Sequence, residues 1–272
     1  MSQPESPKST IIPFPDFAAL QAEVKKLRTE LSMLVLERDE LQFVECPNIE
    51  TAYMLALGGL EYKVFEIECA ILRLKRKAEL IQAKKNRQEK VVLSNIEETL
   101  DTEFARYQEQ LNEQIGKMNA ALERSKGTPL SEEETLELKK LYREIVKALH
   151  PDLHPDLEEL KIRLFLNAVD AYKNGDLEGI RIISTMLAGP LAKEERPDAL
   201  VQLVEEKERL TGLLQSVREN IQEIRSRYPY TMKSLVQDKV LVEERKEELE
   251  EKIRILTETL DIYKGKIEEM LR

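Results

Sequence analysis

The chain has no tryptophan, two cysteines, two histidines and nine glycines in 272 residues, and only 5% of it is aromatic. β-Sandwiches, β-barrels and phosphate-cradling loops need turn glycines and bulky β-formers, so this scarcity argues against all three and leaves helices. Cys46 and Cys69 are too far apart for a CxxC pair. Neither a disulfide scaffold nor a zinc knuckle is suggested, and a reduced, cytoplasmic setting is expected. No basic start followed by an apolar stretch opens the sequence, and no run approaches the roughly 18 apolar residues of a membrane span, so no membrane role is expected. What the chain does have is charge: 52 Asp and Glu against 42 Lys and Arg, a net −10. An acidic balance disfavours a protein whose main work is neutralising the phosphates of a nucleic acid.

Residues 1–15 carry Pro4, Pro7, Pro13 and Pro15 among small polar residues and read as a disordered tail. Phe17, Leu20, Val24, Leu27, Leu31, Leu34, Arg38 and Leu41 then recur at spacings of three and four, with Arg38 the polar exception. That period keeps one stripe of a helix facing a partner. After Pro47 and Asn48 the stripe resumes at Tyr53, Leu57, Leu60, Val64 and Ile67 and runs on to Ile81. The pattern predicts an N-terminal coiled-coil hairpin over 16–90, turning at Pro47. Gly58 and Gly59 fall inside the second stripe, where each costs about 1 kcal/mol relative to Ala; a close backbone approach or a kink is the expected reason. Lys75-Arg76-Lys77 and Lys84-Lys85-Asn86-Arg87 suit either an anionic surface or a solvated helix end.

Ser94 with Glu97 has the capping-box spacing and predicts a connecting helix over 94–126. Ser131 with Glu134 repeats the signature and opens a helix that ends before Pro151. Another helix is expected from about Leu157 to Lys173, with Asp156 as its N-cap, and Gly175-Asp176 precede a short one through Ile180, Ile183 and Leu187. These make a compact module over 131–188. Gly189, Pro190 and Pro197 mark a boundary. Beyond it, stripes from Leu200 to Tyr228 and from Leu235 to Met270 predict a second hairpin over 198–272. The expected class is all-α, with long antiparallel coiled-coil hairpins flanking the central module.

Both histidines lie in one segment, LKKLYREIVKALHPDLHPD, which admits three readings. A metal site could use His150, Asp152, His154 and Asp156, but Pro151 and Pro155 prevent the helical turn that would align the two imidazoles. Acid–base chemistry by a His–Asp pair needs a nucleophile and a pocket that the surrounding Leu and Pro do not advertise. The third reading is a recognition loop held between two helices. Here Leu138, Leu141, Tyr142, Ile145 and Leu149 form one stripe, and Lys140, Arg143 and Lys147 form a cationic ridge with Lys139 beside it.

In order and spacing, Leu138-Lys139-Lys140-Leu141-Tyr142-Arg143 with Ile145 and Lys147, then His150-Pro151-Asp152, then Phe165, Ala168, Ala171 and Tyr172, resemble helix II, the HPD loop and helix III of the J domain. That is the Hsp70-activating module of DnaJ-like co-chaperones. The resemblance implies that Lys139, Lys140, Arg143 and Lys147 dock on an acidic Hsp70 surface while the loop promotes ATP hydrolysis by that partner. It gives Asp152 a carboxylate for a partner arginine, His150 a loop-fixing hydrogen bond and Pro151 a rigid bend. Spacing from Tyr142 selects His150-Pro151-Asp152 over His154-Pro155-Asp156 as the working motif.

The resemblance covers only about 131–175. The family's first helix is not recognisable, and there is no Gly/Phe-rich linker or Cys-rich module. The helix after the loop presents Leu160, Leu164, Phe165, Ala168 and Tyr172 on one side, with Ile162, Leu166 and Val169 roughly opposite. So much apolar surface calls for cover by residues 95–125, 177–188 or both. The expected function is a non-enzymatic Hsp70 co-chaperone with no cofactor or metal, its coiled coils positioning clients or forming a homodimer. The alternative is a structural scaffold whose J-like hairpin does not engage Hsp70. The first reading requires the loop to be presented to solvent beside the ridge.

Overall fold

The computed structural model describes residues 15–127, 129–187 and 200–272, which contain helices and no strand. In chain order these are α1 (Pro15–Glu40), α2 (Cys46–Tyr53), α3 (Gly59–Asn86), α4 (Leu93–Ser125), α5 (Glu132–Leu149), α6 (Glu159–Lys173), α7 (Leu177–Leu187), α8 (Leu200–Ser226), α9 (Lys233–Gln237) and α10 (Lys239–Leu271). Two π-helical turns, Leu41–Glu45 and Met54–Gly58, join α1 to α2 and α2 to α3. Residues 1–14 of the expected tail and the Gly189-to-Pro197 boundary lie outside the described residues, while Pro15, the tail's last expected residue, opens α1.

The all-α class holds for the described residues, but the pairing of the helices differs from the expected hairpins. The chain does not turn at Pro47. Proline lacks the N–H of a regular helical bond, and the π turn directly before it re-registers the ladder so that the helix continues. Cys46, expected in a loop, therefore begins α2. The described residues fall into two compact units: one from Met1–Glu45 and Pro129–Ser226, the other from Cys46–Thr128 and Arg227–Arg272. Each expected hairpin is thus divided between the units, and 131–188 belongs with α1 and α8.

In the first unit α1 packs along α8. Glu23 pairs with Lys207, Glu30 with Arg218 and Glu37 with Arg225. Both sets of numbers rise together, so the two helices run parallel. Leu31 and Val35 of α1 and Leu210 of α8 are fully enclosed, with Leu203, Leu214, Val217 and Ile221 nearly so. The α5–α6 hairpin is closed by α7, which packs on both helices, and the π turn Leu41–Glu45 also meets α6. Part of the cover needed by α6 is therefore the predicted 177–188 segment. Leu160, expected on the buried face, is 75% exposed. At the head of α7, Asp176 accepts the amide of Gly179 at 2.9 Å, and a Cβ on Gly179 would lie 2.4 Å from that carboxylate.

In the second unit α3 packs along α10, again parallel, with Leu249 sharing a cluster with Tyr53, Leu57 and Val64, and Ile267 sharing one with Ala78 and Ile81. The antiparallel partner of α3 is α4: Arg73 meets Glu97 and Asp101, Lys77 meets Glu97, and Arg76 meets Glu103. Arg76 and Lys77 of the basic stretch are thereby committed to the α3–α4 hairpin. The expected capping box does not form: α4 begins at Leu93, so Ser94 lies inside the helix, and the N-cap residue Val92 makes no side-chain cap. Gly58 is buried, and a Cβ there would sit 3.2 Å from the Met54 sulfur and 3.9 Å from that of Met118, the close approach its position suggested. Gly59 faces open space.

Candidate partner-binding site

α5 forms as its sequence requires. Ser131 accepts the Glu134 amide, and the Glu134 carboxylate accepts the Ser131 amide at 2.8 Å, a complete capping box. Leu138, Tyr142, Ile145, Val146 and Leu149 are buried and Leu141 is half-buried. Turning that stripe inward sends Lys140, Arg143 and Lys147 outward, where all three are exposed and none is in a salt bridge with another described residue. Lys139 is half-buried and pairs with Glu40 of α1 at 2.6 Å. A groove of about 650 Å³ runs beside the ridge, with Glu30, Met33 and Glu37 of α1 facing Arg143 and Lys147 of α5.

α5 stops at His150, whose extended backbone (φ −67°, ψ 126°) is the conformation a following proline favours. The imidazole faces inward, edge-on to Phe165 at 5.1 Å between centroids, and is 5% exposed. Its Nδ1 accepts the Asp152 amide at 3.1 Å, which places the ring proton on Nε2. Burial pushes the His150 pKa below its ordinary value, against the pull of the Asp152 carboxylate and with Arg38 acting in the same direction as burial. The ring is neutral, so its 3.9 Å approach to the Asp152 carboxylate is not an ion pair at neutral pH. Pro151 and Asp152 are half-buried, and the Asp152 side chain keeps 37% of its exposure.

His154 is half-buried, with Nε2 donating to the Lys147 carbonyl at 2.8 Å. It serves to tie the loop to the end of α5. Asp156 does not cap α6, which starts at Glu159 with Glu158 as its uncapped N-cap residue. Among the described residues no group of three His, Cys, Asp or Glu could hold a metal ion.

The structure adds residues that sequence reasoning missed. Asp39 of α1 is 1% exposed; it accepts the Tyr142 hydroxyl at 2.8 Å and two Arg38 nitrogens at 2.7 and 3.0 Å. The Tyr142 and Tyr172 rings stack at 4.0 Å, and the Tyr172 hydroxyl donates to Glu40. Burial first, then the neighbouring carboxylates, raise both phenols well above the ordinary tyrosine value, so both act as neutral donors. Lys173 lies over the Phe43 ring at 4.5 Å. From α8, Arg209 donates to the Asp152 carbonyl at 2.8 Å. The polar exception at Arg38 was the one sequence signal for the Asp39 cluster; nothing in the sequence flagged Arg209.

The buried neutral imidazole makes stability depend on pH. A histidine whose native pKa is depressed contributes fully above its unfolded value of roughly 6.5, and the contribution is lost as pH falls from there through the native pKa. His150→Gln is expected to remove this slope. Urea unfolding at pH 7 and pH 5.5 would show a smaller acid destabilisation in the variant than in the native chain; equal losses would place the charge-sensitive group elsewhere.

Comparison with family models, with curated proteins and with solved structures finds no match to this chain.

Proposed function

We propose that the α5–loop–α6 hairpin is a J-domain-like docking element that stimulates ATP hydrolysis by an Hsp70-type partner without being an enzyme itself. The observation that carries this reading is the split personality of the loop. The His150 imidazole is buried and holds the Asp152 amide, while the Asp152 carboxylate stays more than a third exposed and Lys140, Arg143 and Lys147 are exposed on the helix that leads into the loop. A partner surface with carboxylates for the ridge and an arginine for Asp152 would meet both sets of charges at once. Pro151 limits the loop's freedom, which lowers the entropic cost of that meeting. His150 acts from inside the loop rather than at the interface.

A scaffold that does not engage Hsp70 is favoured by a different observation: α1 and α8 lie against the hairpin, Glu40 holding Lys139 and Arg209 holding the Asp152 carbonyl. The α1/α8 and α3/α10 seams are filled within one chain, so the proposed client or second-copy contacts would use exposed apolar positions such as Ile255 and Ile262.

Steady-state ATPase of an Hsp70 separates the two readings. The intact protein is expected to stimulate hydrolysis, and Asp152→Asn, which keeps the loop's shape but removes its charge, is expected to abolish the effect. Absence of stimulation by the native chain, under conditions where an ordinary J protein works, overturns the co-chaperone reading.

A further inference from the structure

Asp152 is the residue on which the proposed function turns, and its main chain is held from 57 residues away in sequence. Arg209 of α8 donates one Nη1 hydrogen to the Asp152 carbonyl at 2.8 Å and uses Nε and Nη2 on the Glu206 carboxylate at 2.7 and 3.0 Å. Glu206 in turn accepts two bonds from Arg28 of α1, at 3.0 and 3.2 Å. Its side chain is only 16% exposed. Burial pushes that carboxyl up, but the hydrogen bonds from Arg209 and Arg28 outweigh it and hold it below the usual range, so it is ionised and anchors both guanidiniums. The Arg209 fork is therefore fixed on its carboxylate side, and its remaining donor has a defined direction.

The loop has two anchors on consecutive groups of one residue. His150 holds the Asp152 N–H from inside, and Arg209 holds the Asp152 C=O from α8. With both ends of its main chain held, the direction in which the Asp152 side chain leaves the loop at Cβ is set before any partner arrives. The Arg209 charge also lies close enough to Asp152 to feel its carboxylate.

We propose that Arg209 is a positioning residue for the HPD loop, so that the parallel α1/α8 pair, through Arg28–Glu206–Arg209, sets how Asp152 is offered to an Hsp70. This rests on the co-chaperone reading above. It assigns to a coiled-coil seam a part in partner activation that the loop and ridge do not perform alone. Arg209 does not touch the partner; it acts through Asp152.

The test is a titration of an Hsp70 ATPase with the full chain. Docking strength belongs to Lys140, Arg143 and Lys147, so Arg209→Ala should leave the half-saturating concentration near that of the native chain. The plateau rate should fall by about tenfold, the worth of one charge-assisted hydrogen bond. Arg209→Lys, which keeps a donor for the carbonyl but not the fork on Glu206, should recover part of the plateau. The Asp152 amide resonance should move in Arg209→Ala while helix content is unchanged. Should the alanine variant prove unstable, Glu206→Gln loosens the same fork and should lower the plateau in the same direction. A native chain that stimulates, with Arg209→Ala and Glu206→Gln reaching its plateau, overturns this proposal and leaves the co-chaperone reading standing. A native chain that does not stimulate overturns both.

Discussion

Asp39→Ala is expected to destabilise the unit that carries the His150–Asp152 loop by about 3 kcal/mol, the cost of leaving buried partners of a charged network without their acceptor. Asp39 is 1% exposed and receives the Tyr142 hydroxyl and two Arg38 nitrogens. Removing it strands a phenol that is fully enclosed in the core of α5 and α6, and a guanidinium that is only 24% exposed. Asp39→Asn keeps an acceptor for Tyr142 and should cost less. Tyr142→Phe leaves Asp39 its arginine and should cost about 1 kcal/mol, the usual worth of a neutral donor. The two single changes share a partner, so the double variant should fall short of their sum. The chain has no tryptophan, and amide hydrogen exchange of α5 is the measurement that reports on this unit. Protection in Asp39→Ala equal to that of the native chain would mean that the cluster is held by the Tyr142–Tyr172 stack and not by its carboxylates.

How far the fold was legible follows from what each pattern encodes. The α5 capping box, its inward stripe and its outward ridge were readable because all three are local: each depends on spacings within one helix. The stripes of α1, α3 and α8 were readable for the same reason, and Leu31, Leu210 and Ile81 are fully buried where the period places them. Their partners were not. A spacing of three and four reads the same in either chain direction, so it cannot distinguish a parallel from an antiparallel neighbour or choose which stripe fills which groove. The information that could have chosen was in the charges: Glu30 and Glu37 are one heptad apart, as are Arg218 and Arg225, and they pair in that order. Pro47 misled because it falls in the first turn of α2, directly after the π turn Leu41–Glu45, where a residue that donates no backbone bond is tolerated. Ser94 misled because the helix starts one residue earlier, at Leu93, which takes Ser94 out of the N-cap position, and Glu97 pairs with Arg73 and Lys77 of the neighbouring helix. At the candidate site, the loop and ridge were legible from α5, while Asp39, Glu40 and Arg209 arrive from α1 and α8 and leave no mark on the local sequence.

Leu210→Ala carries the other large expected effect, about 3 kcal/mol, because truncating a leucine that cannot be replaced by collapse of its surroundings loses both transfer energy and contacts. Leu210 is fully buried in the α1/α8 seam, next in sequence to Arg209. The same truncation at Ile262 of α10, which is 69% exposed, should change stability by under about 0.5 kcal/mol. Both residues sit inside long helices, and burial is the larger of the differences between the two sites, since the propensity gap between Leu and Ile is only a few tenths of a kcal/mol. The seam change should also travel to the loop. α8 carries the guanidinium that fixes the Asp152 carbonyl, so a seam that opens more often should raise the exchange rate of the Asp152 amide along with those of α8. Hydrogen exchange resolved by residue reads both effects in one experiment. Faster exchange in α8 with an unchanged Asp152 amide would show that His150 alone holds the loop, and would remove the physical route by which the α1/α8 seam could govern it.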